Sequence, residues 1–244
     1  NIKIIEHVYL MWCGDSYHAA LAAEMAFKNF ARIHCEPVNG LRFLEYTSDY
    51  LLPNSILFGV SASGGSARIV ESIKKVNKTN TITVGLTGDA ISPLAQAADF
   101  VIHTDIPFMG RSPGVRTYEA SLLGLYITAI RLGEYQEKIE STTADELIEE
   151  LNILSDVVLV ANESVKSICK KAAQTPRTLA NYLKKGSGPN FGTAVFSAAK
   201  ICEACGMISF GQDLEEFAHV EGLCYPNDMP TVVYVAKGKS RWRA

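Results

Sequence analysis

Apolar residues along this chain come in short blocks, each ending on a turn rich in glycine, serine or aspartate and each followed by helical spacing. Val8-Tyr9-Leu10-Met11-Trp12 runs into Cys13-Gly14-Asp15-Ser16, and Ala, Leu, Met and Phe then recur at helical intervals from Ala19 to Phe30. Trp12 and the apolar residues before Cys13 read as core. Ser55 to Val60 repeats the theme into Ser61-Ala62-Ser63-Gly64-Gly65-Ser66, with a helix expected from Ala67 to Val76. Thr81 to Leu86 predicts a third strand, Ser92 to Ala97 a short helix, Phe100 to His103 a fourth strand and Val115 to Arg131 another helix. Continuous apolar strands alternating with helices predict an α/β fold, a doubly wound parallel sheet flanked by helices of flavodoxin-like layout.

Thr143 to Ala173 reads as one or two long amphipathic helices, and the remainder of the chain looks like a second copy of the opening unit. Cys13-Gly14-Asp15-Ser16-Tyr17-His18 has its counterpart in Ser187-Gly188-Pro189-Asn190-Phe191-Gly192, after a strand-like Leu179 to Leu183. Pro53 to Val60 likewise matches Asn227 to Val235, at nearly the same offset. The expectation is a first unit at 1–135, a helical linker at 136–178 and a second copy at 179–244 that stops before its last strands and helices. Trp242 then falls in the opening of a helix and is expected to pack.

Composition narrows the function classes. With 48% hydrophobic and 20% charged residues over 244 positions, the chain can fill a substantial core. A formal net charge of −3 without a basic block argues against nucleic acid and against an anionic membrane surface as partners. Six scattered cysteines in a chain of this size suit a reducing, cytoplasmic setting, and no apolar run approaches the ~20 residues that span a bilayer. Cys202-Glu203-Ala204-Cys205 has redox or zinc spacing, but it lies within a helix with no second pair beside it, so neither a metal nor a cofactor is expected.

Candidate chemistry sits at the strand ends. Ser61, Ser63 and Ser66 supply hydroxyls at a helix start, and Gly64 and Gly65 let backbone amides approach a bound phosphate. No lysine follows the glycines, so this is not a nucleoside triphosphate loop. The plainer alternative is a polar N-cap turn that binds nothing. Cys13, Gly14, Asp15 and Ser16 lie at the same end of the neighbouring strand, where they either meet sugar hydroxyls or simply cap the helix. Phe191 to Cys205 predicts a helix closed by Gly206, with Glu203 in its last turn. A carboxylate there works against the helix dipole and is suited to proton transfer, while Lys200 one turn back offers an ordinary ion pair instead. His18 and His103 read as ordinary turn and strand-end residues, and Arg116 as a solvated helix-start residue or a phosphate ligand.

These residues resemble the sugar isomerase (SIS) domain family, most closely its tandem members, which include the isomerase half of glucosamine-6-phosphate synthase and the sugar-amine deglycases. The carriers are Cys13-Gly14-Asp15-Ser16, Ser61 to Ser66, Ser92-Pro93-Leu94-Ala95, Lys200-Ile201-Cys202-Glu203 and Glu216-Phe217-Ala218-His219. The resemblance implies phosphate binding by Ser61, Ser63, Ser66 and Gly64, and a sugar lined by Cys13, Gly14, Asp15, Ser16, Val115 and Lys200. It implies Glu203 as the proton-transferring base and His219 as the group acting on ring opening, contributed across a homodimer interface. The implied ligand is a phosphorylated sugar or amino sugar, handled by an aldose-ketose isomerase, deaminase or deglycase reaction. The other class of function is a non-catalytic sugar-phosphate sensor, and catalytic exchange of the C2 proton separates the two. Gly114-Val115-Arg116-Thr117-Tyr118 matches the family's substrate loop only loosely, and Ala62 stands where the synthases often carry glutamine.

Overall fold

The structure is a computed structural model that describes residues 5–107, 109–110, 112–174, 182–224, 229–237 and 241–243. Its larger sheet has five parallel strands in the order β2-β1-β3-β4-β5: β1 His7–Trp12, β2 His34–Asn39, β3 Ser55–Val60, β4 Ile82–Thr87 and β5 Phe100–His103. Helix α1 (Asp15–Ala26) follows β1, and a short helical segment, α2 (Gly40–Arg42), follows β2. Then α3 (Ala67–Val76) follows β3, α4 (Pro93–Ala97) follows β4, and α5 (Val115–Tyr135) follows β5. The chain is thus an α/β protein with a parallel sheet flanked by helices.

Alternation along the strands divides the core in two. Val8, Leu10 and Trp12 face α1 and α5 with Phe27, Leu125 and Ala129, whereas Tyr9 and Met11 face α3 and α4 with Phe43, Ile73 and Leu94. Both faces of β1 and β3 are covered, which is why their sequences are unbroken apolar runs. Strand β2 escaped the hydrophobic pattern because it lies at the sheet edge, where Pro37 needs no ladder donor and only Cys35 and Val38 are buried.

After α5 comes one continuous helix, α6 (Ser141–Gln174), longer than the expected span at both ends. A second parallel sheet has the order β7-β6-β8, with β6 Tyr182–Gly186, β7 Ser209–Asp213 and β8 Thr231–Val233. Helix α7 (Pro189–Cys205) follows β6 and α8 (Leu214–His219) follows β7. The strand expected at Leu179 to Leu183 sits further along the chain, and its first three residues lie outside the described ones. Asn227 and Asp228 of the expected match at 227–235 also lie outside them. Pairing in the smaller sheet repeats that of the larger at a displacement of 175 residues: His7 against His34 becomes Tyr182 against Ser209, and Val8 against Ile56 becomes Leu183 against Thr231. Trp242 is 90% exposed in a single 3-10 turn, so its expected packing is not found: nothing described covers it. Among the described residues no helix is long and apolar enough to cross a membrane.

Helices α1 and α7 lie against each other through small residues, with Ala19, Ala22, Ala23 and Ala26 on α1 and Gly192, Ala194 and Ala198 on α7 buried. Gly192 is held so close that a Cβ there would lie 2.6 Å from the Ala22 amide nitrogen and 2.8 Å from the His18 carbonyl oxygen. Replacing it with Val must push the helices apart, and overpacking of this kind costs about 1–3 kcal/mol. Gly192→Val is therefore expected to lower the melting temperature by several degrees in a thermal scan. An unchanged melting curve would show that the helices do not approach this closely.

Candidate functional site

Every turn at the C-terminal edge of the larger sheet belongs to one surface, because all five strands run the same way. The turn from β1 into α1 passes through Gly14 at φ 61° and ψ −136°, a backbone conformation open to glycine. Gly188 makes the same turn from β6 into α7, at φ 59° and ψ −131°. Asp15 and Ser16 therefore begin α1, half-buried, while Cys13 is exposed beside Gly40 and Arg68.

The serine loop is held from beneath. Ser61 donates its amide to the Leu86 carbonyl (3.1 Å), Gly64 donates to the Ser61 carbonyl (2.9 Å), and Leu94 donates to the Gly64 carbonyl (3.0 Å). Gly64 has φ +63° and touches Ser92, where any Cβ would collide at 2.0 Å with a hydroxyl that caps α4. Helix α3 starts at Ser66 without a side-chain cap. Among the described residues the hydroxyls of Ser61 and Ser66 take no hydrogen-bond partner, and Ser63 accepts only a long contact from the Gly65 amide at 3.4 Å. The loop presents uncapped amides of the first helical turn together with three hydroxyls, a combination able to bind an anion.

A cleft of about 570 Å³ opens beside this loop. Ala62 and Gly88 line it together with Thr104 and Ile106 after β5 and with Gly114, Arg116 and Thr117 at the start of α5. Arg116 lines the cleft and donates one guanidinium N–H to the Pro107 carbonyl (3.0 Å). Val115 is 41% exposed and is not part of the lining, unlike its two neighbours. Gly114 in turn abuts Asp15, since a Cβ there would lie 2.9 Å from Oδ2.

Asp15 connects the cleft to the second sheet's helix. Lys200, on α7, donates to both Asp15 and Glu203, and its side chain is 13% exposed. Burial works against the Lys200 charge, but the bonds to Asp15 and Glu203 outweigh it and hold the ammonium pKa above the ordinary lysine value. The ion pair anticipated between Lys200 and Glu203 is present, and Asp15 is the partner that the sequence did not reveal. Phe196, one helical turn before Lys200, stacks on Tyr118 of α5 at 3.6 Å, and burial pushes the Tyr118 phenol up to about 12. Spacing along one helix could reveal Lys200 with Glu203, but Asp15 with Lys200 is a contact between distant segments.

His219 stands apart from this cluster. It lies at the end of α8, is 68% exposed and pairs with Glu215 at 3.2 Å, while the bonded partner of Glu203 is Lys200. The chain by itself does not hydrogen-bond the two expected catalytic groups to each other. His103 ends β5 as anticipated and contacts the Gly88 carbonyl at 3.2 Å. His18 differs from its reading as a turn residue: it is inside α1, its Nδ1 is buried without a hydrogen bond, and Asp15 Oδ1 lies 3.9 Å away. Cys202 and Cys205 are both exposed and unbridged, and among the described residues no group of three or more His, Cys, Asp or Glu could hold a metal ion.

Sheet and edge together define an α/β protein with a cleft at the strand C-termini, Ala62 of the serine loop in its lining and Gly114, which abuts Asp15, in it as well. The SIS domain profile matches residues 2–129, and the chain belongs to the SIS domain family. It is 26% identical over 240 residues to the glutamine–fructose-6-phosphate aminotransferase (isomerizing) of Aquifex aeolicus, covering 98% of this chain and 39% of that protein. The chain thus spans about two fifths of the length of that curated relative. The C-terminal domain of glucosamine-fructose-6-phosphate aminotransferase from Francisella tularensis superposes with a TM-score of 0.88 at 18% identity, over 99% of this chain and 68% of that one. Glucosamine-6-phosphate deaminase from Thermotoga maritima gives 0.77 at 18% identity, over 97% and 70%. At these identities the structural likenesses describe the fold.

Burial of His18 disfavours its imidazolium and lowers its pKa below the usual histidine value; Asp15 raises it, Lys200 lowers it and Glu203 raises it, each by less. The unfolded chain takes up that proton near pH 6.5 and the native chain only at lower pH, so acidification favours unfolding across this interval. The melting temperature is expected to fall from pH 7 towards pH 5.5, and less steeply in His18→Phe. Equal slopes for the two proteins would show that His18 does not carry the effect.

Proposed function

We propose that the cleft binds a phosphorylated sugar or amino sugar and that the chain carries out proton transfer between C1 and C2 of its open-chain form. In this reading Ser61, Ser63, Ser66 and the backbone at Gly64 hold the phosphate. Cys13, Gly14, Asp15, Ser16, Val115 and Lys200 border the sugar; like Ser61, Ser63, Gly64 and Ser66 they lie outside the cleft lining itself, next to Ala62 and Gly114, which belong to it. The observation that carries the reading is continuity: Ala62 of the serine loop and Gly114 line one cleft, Gly114 touches Asp15, and Asp15 and Glu203 share Lys200.

Moving a proton between adjacent carbons needs one base that removes it from the first and returns it to the second through an enediol-type intermediate. Glu203 is the proposed base. Lys200 fixes that carboxylate from one side through its bond to Glu203 and is itself fixed by Asp15, which limits where the base can swing. Phosphate held at the serine loop anchors the substrate remotely, so that binding energy positions the reacting carbons. Ring opening, or protonation of a departing amine, falls to His219, whose imidazole can both accept and donate a proton. With His219 on an exposed α8 and bonded only to Glu215, its delivery from a second copy of the chain is consistent with this role. Isomerase, deaminase and deglycase reactions all share this proton transfer. The units proposed are an SIS domain at 1–135, a helical connection at 136–178 and a second SIS copy at 179–244; the repeated strand order, pairing register and glycine turn support the second.

Fructose 6-phosphate and glucosamine 6-phosphate, tested in heavy water, separate binding from catalysis. Glu203→Gln is expected to bind within about threefold of the parent while exchange at C2 falls at least ~100-fold. Ser61→Ala combined with Ser66→Ala is expected to weaken binding of both compounds. A parent protein that binds them without any exchange would instead be a sensor, and indifference to both phosphosugars would remove the reading altogether.

A further inference from the structure

Among the described residues that line the cleft, Arg116 carries the one charged side chain. No described carboxylate pairs with it: Glu119, one turn along α5, and Asp105, after β5, both leave it alone. Arg68 and Arg131, by contrast, close onto Glu71 and onto Glu134 with Asp145. Arg32 and Arg42 also lack an acid, but they are exposed, whereas Arg116 is half-buried.

The geometry of that guanidinium narrows what it can take. Its Nη1 donates to the Pro107 carbonyl at 3.0 Å, which steadies the group and leaves the other edge, Nε with Nη2, without a partner. The two N–H groups of this edge run parallel and match the two oxygens of a carboxylate. Further donors in the lining are few. Thr117 already donates to the Gly114 carbonyl (3.0 Å) and the Gly88 amide to the Ala62 carbonyl (2.9 Å), while the hydroxyls of Thr104 and Ser112 take no hydrogen-bond partner among the described residues. One positive charge with a two-toothed edge suits a monoanion with two oxygens better than a phosphate dianion with three.

Phosphate, on the reading above, has its donors elsewhere. The hydroxyls of Ser61, Ser63 and Ser66 lie outside the lining, and their loop enters the cleft only through Ala62. A second negative group is also disfavoured at Asp15, which abuts Gly114, because Asp15 and Glu203 are two acids sharing one ammonium. We propose that Arg116 is a carboxylate receptor, so that the ligand of this cleft carries a carboxylate in addition to its phosphate. Arg116 then selects among phosphosugars and takes no part in the proton transfer. The inference rests on the serine loop holding the phosphate. A carboxylate can come from the sugar itself, as in a sugar acid, or from an amine joined to the sugar, and both present the same two oxygens.

Calorimetry on the 244-residue chain with two pairs of ligands, each pair differing by a carboxylate, separates these sources. One pair is 6-phosphogluconate and sorbitol 6-phosphate; the other is 1-deoxyfructose 6-phosphate joined at C1 to glycine or to methylamine. In at least one pair the carboxylate ligand is expected to bind at least ~10-fold more tightly, and the pair that shows it names the source. Arg116→Gln is expected to bring that ratio to within about twofold of unity, and Arg116→Lys, which keeps the charge without the fork, to retain only part of it. Each ratio is taken within one protein, so a general loss of affinity from a disturbed start of α5 cancels. Ratios near unity in both pairs for the parent chain would overturn the proposal, and would leave the phosphosugar reading standing if fructose 6-phosphate still binds. A preference that survives Arg116→Gln would overturn it too, by placing the carboxylate elsewhere. Failure of the parent to bind any of these phosphosugars would remove the phosphosugar reading and this inference with it.

Discussion

The close approach of α7 to α1 is the constraint on which the candidate site depends. Gly192 removes the side chain that would otherwise separate the helices, and alanines on both surfaces keep the gap small. Only at that separation does Lys200 of α7 reach Asp15 of α1 while still bonded to Glu203. The ammonium of a lysine whose side chain is 13% exposed would be costly without partners, and two carboxylates supply them. The result is a cross-link between segments distant in sequence, made by a charge that is stable only because both acids are present.

The opposite end of the site is built by backbone. Ser61 to Ser66 takes its shape from bonds to β4 and α4, and Gly64 adopts a left-handed conformation directly against Ser92. Those contacts use the backbone of Ser61 and Gly64 and leave Ser63 exposed and Ser66 half-buried at the uncapped start of α3, with Ser61 buried beneath them. Between the two ends, the start of α5 contributes Gly114 and Arg116 to the cleft, and its Tyr118 stacks on Phe196. One helix thus borders the cleft and also braces the charged cluster.

Much of this layout is legible in the residues alone, and the exceptions share a cause. Strands β3 and β5 and helix α3 fall where apolar runs and periodicity put them, because each is decided by its own residues and by burial on known faces. The start of α1 at Asp15, the edge strand β2 and the unbroken α6 do not announce themselves in this way. In β2 only two residues are buried, so the period carries little signal. In α6 the apolar positions fit two helices as readily as one. His18 looks like a turn residue because Gly14-Asp15 resembles a longer turn; the helix beginning at Asp15 carries it inside.

By itself the sequence determined a parallel α/β sheet, the glycine turn that ends β1, the serine loop at the C-terminus of β3 and the placing of Lys200 and Glu203 one turn apart. These are local properties, set by side-chain alternation, by backbone angles open to glycine and by helical pitch. Tertiary structure alone decided that Asp15 joins Lys200, that Gly114 closes the cleft against Asp15, and that His219 stays exposed beside Glu215. Each of those depends on the distance between segments far apart in the chain, which packing fixes and local spacing does not encode.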